Sequence, residues 1–363
     1  MHENRLWYGI FLALAFALLS SATLAGTVVI YAAVDLPVVE PLIADFEQTH
    51  PQIKVEYHDL QTTDLYQRFL REVPGGGKTD IVWSSAMDLQ MKLVNDGHAK
   101  AHRSDETKAL PAWAKWKDEA FGTTFEPVCF AYNSDLLPAE HVPQSHAEMA
   151  RFLREHPERY RDRLVTYDPH RSGLGYLMHT QDLEANPVVF WNLIREMAQT
   201  GLSTEPTTSG MLDRIVSGKS TLGYNVLCSY TKARESADAR LASVMPRDYT
   251  LVMSRIAFIS RYAPHPEDAR AWMDYLLSLR GQTVLNLIGL QAARGDVEGD
   301  TTAASLRKRL GSAFRPIALT TGLLTYVDKS KNELFLRHWD AALNTQRSAP
   351  SAPAASPSRT KSR

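Results

Sequence analysis

Short apolar runs alternate with amphipathic segments along the first quarter of the chain. Residues 27–33 form an unbroken apolar run that predicts a strand buried on both faces, and residues 53–57 alternate apolar and polar positions. Asp35 is expected to cap a helix between them, and residues 62–72 have the spacing of a second helix. Residues 79–83 predict a third strand. This alternation of strand and helix indicates an α/β fold with a parallel sheet.

The rest of the chain contains a second block of the same kind. Further strands are predicted at 128–133, 164–167, 221–226 and within 249–260, and helices at 146–156, 183–200, 211–217, 264–279 and 282–288. Because each block has its own strands and helices, the pattern favours two domains over one closed barrel.

One strand-to-helix junction has the pattern of an anion-binding turn. Residues 164–167 lead through a proline turn to Ser172 and Gly173, which begin the following helix. A helix N-terminus presents free backbone N–H groups and the positive end of its dipole, which suit an anion. His170 and Arg171 add charged donors ahead of the helix. Many turns of this form bind nothing, so the motif alone does not establish a site.

Candidate binding residues also end two of the predicted parallel strands. Tyr31 and Ala33 end the first strand, and Ser84 and Ser85 end the third. Open α/β sheets bind ligands at the carboxyl ends of their strands, which makes these four residues candidates. The alternative is that the two serines only cap the next helix.

Composition narrows the class of protein. The chain has 363 residues, of which 44% are hydrophobic and 22% are charged, and its formal net charge is −1. This length is typical of roughly two domains. A nearly neutral chain lacks the basic excess of nucleic-acid binders, so no nucleic-acid partner is expected.

The two ends of the chain differ from its interior. A polar start with Arg5, an apolar run at 10–19 and small residues up to Ala25 form the pattern of a secretory signal peptide, residues 1–25, cleaved near Ala25. A retained membrane anchor is the alternative, but the apolar run is short for spanning a bilayer. Residues 346–363 are mainly Ser, Pro and Ala, which predicts a disordered tail.

The two cysteines, Cys129 and Cys228, would both be exported with the mature chain. In an oxidising compartment two such thiols can pair, and the alternative is a pair of buried free thiols. Their spacing in the sequence does not place their Cβ atoms, so the pairing stays open at this point.

The sequence lacks the motifs of several enzyme classes. Residues 75–79 resemble a phosphate-binding loop, but Glu72 occupies the position of the first required glycine, and a strand follows instead of a helix. Gly-x-Ser-x-Gly and His-Glu-x-x-His motifs do not occur. His98 and His102 are four residues apart without further ligands. We therefore expect no catalytic residues, no metal and no cofactor, and a secreted hydrolase is not favoured.

Several runs of residues follow an order typical of one protein family. After the apparent signal peptide these are Val28-Val29-Ile30-Tyr31, Phe46-Glu47 with Pro51-Gln52-Ile53-Lys54-Val55, Thr79-Asp80-Ile81-Val82-Trp83-Ser84, Ala131-Tyr132-Asn133, and Pro266-Glu267-Asp268-Ala269-Arg270-Ala271-Trp272-Met273. In this order they resemble the type II periplasmic solute-binding proteins of ABC transporters. Within that class they are similar to the branch that includes binders of ferric iron, phosphorylated sugars and phosphoglycerate. The resemblance covers nearly all of residues 27–342.

The resemblance implies an α/β protein of two lobes, each a mostly parallel sheet flanked by helices, with the ligand in the cleft between the lobes. Lobe 1 would contain residues 26–127 and 250–345, and lobe 2 would contain residues 128–249. It also implies a periplasmic monomer that closes on its solute and delivers it to an inner-membrane ABC permease. A periplasmic sensor that signals to the sensor kinase of a two-component system is the alternative.

The residues expected at the cleft favour a small anionic solute over iron. Ferric binders of this branch use two adjacent tyrosines as phenolate ligands, whereas the corresponding stretch here, residues 223–230, contains Tyr224 and Tyr230 without an adjacent pair. Serine-rich helix starts and arginines suit an organophosphate or a carboxylate better, and ferric iron is the alternative. The candidate ligand-binding residues are Tyr31, Ala33, Ser84, Ser85, Asn133, Arg171, Ser172, Gly173, Tyr176, Tyr224, Asn225 and Arg255.

Overall fold

The computed structural model describes residues 26–299 and 302–344, so the predicted signal peptide and tail lie outside the described residues. In chain order the strands are β1 (Gly26–Ala32), β2 (Ile53–Asp59), β3 (Ile81–Ser84), β4 (Ala99–Lys100), β5 (Lys115–Trp116), β6 (Ala120–Gly122), β7 (Glu126–Asn133), β8 (Leu164–Tyr167), β9 (Leu202–Glu205), β10 (Leu222–Leu227), β11 (Leu241–Val244), β12 (Thr250–Met253), β13 (Ile256–Ser260) and β14 (Phe314–Pro316).

The helices follow the same order. They are α1 (Leu36–Thr49), α2 (Thr62–Glu72), α3 (Met87–Asn95), α4 (Asp105–Ala109), α5 (His146–Glu155), α6 (Pro157–Tyr160), α7 (Gly173–Ala185), α8 (Pro187–Thr200), α9 (Thr208–Val216), α10 (Cys228–Glu235), α11 (Pro266–Leu277), α12 (Leu279–Leu287), α13 (Ala303–Leu310) and α14 (Lys329–Asn344). Within the described ranges, none of these helices is long and apolar enough to cross a membrane.

The first sheet has the strand order β2-β1-β3-β13-β6-β5, with β4 paired to β13. Its centre is buried because β1 and β3 carry apolar side chains on both faces and helices cover them. Helices α1, α11 and α12 pack on one face through Phe46, Trp272 and Leu285, which are fully buried. The sheet and its helices form the first lobe.

The second sheet has the order β14-β12-β7-β10-β8-β9, with β11 paired to β7, and with its helices it forms the second lobe. The predicted α/β, two-lobe class is therefore confirmed. Each sheet is mixed and not mostly parallel, because β13 runs antiparallel to β3 and β7 runs antiparallel to β10, β11 and β12.

The two lobes are joined by neighbouring connections at residues 123–125 and 254–255. The N–H of Thr123 donates to the carbonyl of Arg255 at 2.8 Å, and the N–H of Arg255 donates to the Thr124 hydroxyl at 2.9 Å. These bonds hold the connections side by side between the sheets.

Residues 250–345 do not all lie on the first lobe, as the resemblance implied. β12, which directly precedes the second connection, and β14 and α14, which follow it, lie on the second lobe. Phe335 and Trp339 of α14 are buried against Phe190 of α8 and its neighbours. The apolar face of a helix shows that it packs, but its sequence does not say against which sheet.

The structure pairs Cys129 of β7 with Cys228, the first residue of α10, and their Cα atoms are 5.5 Å apart. The bond closes a loop with a sequence separation of 99 residues. Replacement of both cysteines by serine is expected to lower the free energy of unfolding by about 2–4 kcal/mol, because a long loop in the unfolded chain is no longer constrained. Urea denaturation with and without a reductant measures this, and an unchanged wild-type midpoint in reductant would contradict the pairing.

Candidate functional site

A cavity of about 430 Å³, counted with its open mouth, lies between the two lobes and is called the interlobe cavity below. Its walls are mostly short polar side chains and helix starts. The lining residues are Ala33, Asp35, Asp59, Leu60, Gln61, Thr62, Ser85 and Arg255, and from the second lobe Tyr167, Ser172, Leu174, Pro206, Thr207, Thr208, Ser209, Leu227 and Tyr230.

Helix N-termini converge on this cavity. The N-cap residues of α1, α2, α7, α9 and α10 all line it, and they are Asp35, Gln61, Ser172, Thr207 and Leu227. Strand ends feed these helices, so the strands deliver the N-termini to one place. Each N-terminus contributes a partial positive charge at the cavity wall.

These helices are capped differently. A side chain that caps a helix accepts one of its first N–H groups, so the caps determine which of these groups can still bind a ligand. Ser172 accepts the N–H of Gly175, and Thr207 accepts the N–H of Gly210, both at 3.0 Å. No side chain caps α2. Asp35 does not cap α1 as expected, because Asp59 accepts the N–H of Leu36 at 3.0 Å in its place.

Asp35 instead reaches across the interlobe cavity. Its carboxylate accepts the hydroxyl of Ser209 at 2.9 Å and the phenol of Tyr230 at 3.4 Å, both from the second lobe. Burial raises the pKa of Asp59, with a smaller contribution from the nearby Asp35. The cavity therefore combines helix N-termini with two carboxylates that can accept hydrogen bonds from a ligand.

Arg255 reaches the cavity from the second connection but is already paired. Its Nε donates to Glu126 Oε1 at 2.8 Å, and a terminal nitrogen donates to the Ala33 carbonyl at 2.8 Å. Arg255 and Glu126 are 1% and 0% exposed. Burial acts to lower the pKa of Arg255, but the Glu126 carboxylate outweighs it and the pKa lies above its usual value. Arg255 therefore adds donors to the wall and little net charge.

The two tyrosines of the cavity are neutral phenols. Burial raises the pKa of Tyr230 to about 12, and burial also raises the pKa of Tyr167. The hydroxyl of Tyr167 is hydrogen-bonded to Thr208. In residues 26–299 and 302–344, no group of three or more His, Cys, Asp and Glu side chains is placed to hold a metal ion. The two phenols therefore serve as hydrogen-bonding groups in the cavity wall.

The structure brings four of the twelve predicted residues together in the cavity wall: Ala33, Ser85, Ser172 and Arg255. Gly173 borders the wall, and its N–H donates to the Thr62 hydroxyl at 2.9 Å. Whether any of these residues contacts a ligand remains a prediction.

The other seven predicted residues do not line the cavity. Arg171 is exposed on its turn, and Ser84 is buried behind Ser85. The remaining five are buried and hydrogen-bonded elsewhere: Tyr31 to Glu72, Asn133 to the Ile215 carbonyl, Tyr176 to the Tyr326 carbonyl, and Tyr224 and Asn225 to Asp182.

Sequence reasoning missed the two cavity carboxylates and the polar start of α9. Asp59 is the last residue of β2 and Asp35 follows β1 closely, so the strand-end rule that selected Ser85 also applies to them. Thr207, Thr208 and Ser209 follow β9 and start a helix, as Ser172 does after β8. These signals were present in the sequence.

Two α/β lobes with a polar cavity between them define the class of two-lobe solute-binding proteins. The chain belongs to the family of bacterial extracellular solute-binding proteins, whose sequence profile matches residues 28–291. The resemblance found in the sequence is thereby confirmed. No curated protein matches the chain.

Solved structures share the fold at different levels of identity. The substrate-binding protein of an ABC transporter from Agrobacterium tumefaciens is 35% identical, with a TM-score of 0.85 over 90% of this chain and 96% of that one. AfuA from Actinobacillus pleuropneumoniae, with exogenous fructose-6-phosphate bound, is 16% identical, with a TM-score of 0.68 over 88% and 99% of the two chains. Iron-bound HitA from Pseudomonas aeruginosa is 14% identical, with a TM-score of 0.69 over 87% and 99%.

Proposed function

We propose that the protein is a periplasmic solute-binding protein of an ABC importer and that it captures a small organic anion in the interlobe cavity. The convergence of helix N-termini on one cavity carries this proposal, since such N-termini bind phosphates and carboxylates. The first amides of α1 and α7 are bonded to Asp59 and Thr62, so the N-termini of α2, α9 and α10 are those we assign to the anion. The 35% identical protein from Agrobacterium tumefaciens, a substrate-binding protein of an ABC transporter, supports the transport role.

The carboxylates of the cavity favour an anion that also carries hydroxyl groups. A bare anion would meet only repulsion from Asp35 and Asp59, whereas a hydroxyl can donate to either of them. We therefore favour an organophosphate or hydroxycarboxylate, with its anionic group at the helix N-termini and its hydroxyls on the carboxylates.

Ferric iron is the second candidate, and the site supports it less. Two proteins of this fold are an iron-bound protein and a ferric-binding protein, from Pseudomonas aeruginosa and Campylobacter jejuni. A hard trivalent cation requires several anionic oxygens. Among the residues that line the cavity the carboxylates are those of Asp35 and Asp59, and Asp35 is already engaged by Ser209.

The test is calorimetry on the purified, non-refolded protein with inorganic phosphate, fructose 6-phosphate, citrate and ferric citrate. We expect a hydroxylated organic anion to bind more tightly than inorganic phosphate. Binding of iron alone would favour the second candidate, and failure of every compound, together with a native-state mass spectrum free of co-purified solute, would contradict the proposal.

Asp59→Asn is expected to weaken binding of fructose 6-phosphate or another hydroxylated anion by about tenfold, because a hydrogen bond to a charged acceptor contributes about 1.5–3 kcal/mol. Binding of inorganic phosphate should be unchanged or tighter, because a negative charge is removed. Glu56→Gln on the same strand is the control, since Glu56 is exposed and lies outside the cavity wall. Equal weakening of both probes would contradict the assignment of hydroxyl groups to Asp59.

A further inference from the structure

The N-terminus of α7 meets the first lobe directly at Thr62. The Thr62 hydroxyl oxygen accepts the N–H of Gly173 at 2.9 Å and the N–H of Leu174 at 3.3 Å. Thr62 is the first residue of α2, and Gly173 is the first residue of α7. A side chain of one lobe therefore satisfies two backbone donors at the start of a helix in the other lobe.

The two lobes also leave little room for a side chain at Gly173. A Cβ atom at this position would lie 2.9 Å from Leu89 Cδ1, 3.1 Å from Thr62 Oγ1 and 3.3 Å from Ala86 Cβ. All three atoms belong to the first lobe. Gly173 does not have a positive φ, so its own backbone accepts any residue.

The neighbouring Gly175 shows the opposite situation. A Cβ atom there would lie 2.3 Å from the Cβ atom of Tyr167, which belongs to the same lobe. Gly175 is therefore required by the fold of the second lobe, whereas the space at Gly173 is restricted only when the lobes are together.

We propose that Thr62 and Gly173 form a closure joint, a pair of positioning residues that sets how far the lobes close on the solute. The missing side chain at 173 lets the Thr62 hydroxyl reach the amides of α7. Since those amides are used by Thr62, the α7 N-terminus serves lobe contact, and the solute is left with the N-termini of α2, α9 and α10. This inference rests on the proposed capture of a solute by lobe closure.

Disulfide trapping tests the joint without any ligand. The trap is built in a Leu89→Ala background, because Leu89 Cδ1 is the nearest obstacle to a side chain at 173. In that background Ala86→Cys combined with Gly173→Cys places Cβ atoms about 3.3 Å apart in the closed form, close to the roughly 3.5–4.5 Å of disulfides. We expect this pair to form an interlobe disulfide under mild oxidation, detected by peptide mass mapping. Ala86→Cys with Gly295→Cys is the control, because position 295 has no atom of another element within 4 Å. Absence of the first cross-link would overturn the proposal.

Larger side chains at position 173 test whether lobe closure at this contact controls the affinity for the solute. Gly173→Leu is expected to weaken binding of fructose 6-phosphate, or of whichever anion of the panel binds the wild type, by at least about tenfold, while the urea midpoint stays near that of the wild type. Gly295→Leu is the control and should bind normally. Adding Leu89→Ala to Gly173→Ala should restore part of the affinity that Gly173→Ala loses, because Leu89 Cδ1 is the nearest obstacle.

The outcomes separate this inference from the proposed function. If the cross-link forms but no compound of the panel binds the wild type, the closure joint stands and the assignment of an organic anion fails. If the wild type binds and Gly173→Leu binds equally well, the closure joint is refuted and the proposed function is unaffected.

Discussion

Arg255→Ala is expected to lower the free energy of unfolding by about 3–5 kcal/mol, because it leaves the Glu126 carboxylate buried without its cation. Glu126 is 0% exposed, and within the part of the chain that the structure describes its other hydrogen-bond donors are the hydroxyls of Thr124 and Ser229. Neutral hydroxyls do not compensate a buried charge as a guanidinium does. The loss is measured as the shift of the urea denaturation curve.

A second variant distinguishes the loss of the ion pair itself from the cost of leaving one buried charge without a partner. Arg255→Met combined with Glu126→Gln removes both charges and keeps similar volumes, so it should cost less than Arg255→Ala alone. An exposed pair provides the matched control: Lys54→Ala breaks the ion pair with Glu47 and should cost less than about 1 kcal/mol. If Arg255→Ala cost no more than Lys54→Ala, the pair would have no structural role.

Arg255 also contributes to the wall of the interlobe cavity. Arg255 lies on the connection between the lobes and holds the Ala33 carbonyl in the cavity wall. The sequence predicted that the Arg255 guanidinium would balance the charge of an anionic solute, but it did not show that Glu126 already balances it. Glu126 lies 129 residues earlier in the chain, and no local pattern relates the two. A charge that is visible in the sequence is thus cancelled by a contact that only the fold creates.

Helices and strands were easier to predict from the sequence than contacts between residues distant in the chain. The helix predicted at 62–72 has these bounds in α2, and the strand predicted at 164–167 is β8. Apolar periodicity determines such elements, since neighbours in the chain are enough to define them. One helix predicted at 183–200 is in fact the end of α7 and all of α8, divided at Asn186, which accepts the N–H of Val189 as an N-cap and precedes Pro187.

The sequence predicted the type of site, a cavity lined by helix N-termini, but only some of the residues that line it. The helix start at Ser172 reaches the cavity as the junction pattern suggested, but Arg171 beside it points to solvent. Tyr31 and Tyr224 were selected as strand-end aromatics, and both are instead bonded to carboxylates, the partly buried Glu72 and the buried Asp182. The carboxylate that faces a phenol depends on helix packing, which the pattern along one strand does not contain.

Asp88→Asn is expected to stabilise the protein at pH 8 by about 2–4 kcal/mol and to have little effect at pH 4. Asp88 lies in the first turn of α3 and is 2% exposed. Burial raises the pKa of Asp88 to about 7, although the N–H of Leu89, 2.8 Å from Oδ1, favours the charged form. In the unfolded chain an aspartate titrates near about 3.9.

The direction of the pH dependence follows from proton binding. Between about pH 4 and pH 7 the folded protein holds a proton on Asp88 that the unfolded chain has released, so rising pH favours unfolding. A difference of about three pKa units corresponds to about 4 kcal/mol, fully lost above pH 7. Asparagine is neutral at every pH and removes this loss, less the cost of burying its amide.

Urea denaturation of both proteins from pH 4 to pH 8 measures the difference, and other titrating groups cancel because the two chains share them. Asp64→Asn is the control, since Asp64 occupies the first turn of α2 but is exposed, and it should show no such trend. A difference between Asp88→Asn and the wild type that stayed constant across this range would contradict a raised pKa. A difference that grew with pH would identify Asp88 as a group whose burial costs stability at neutral pH, held in place by the packing of α3 against α7 beside the closure joint.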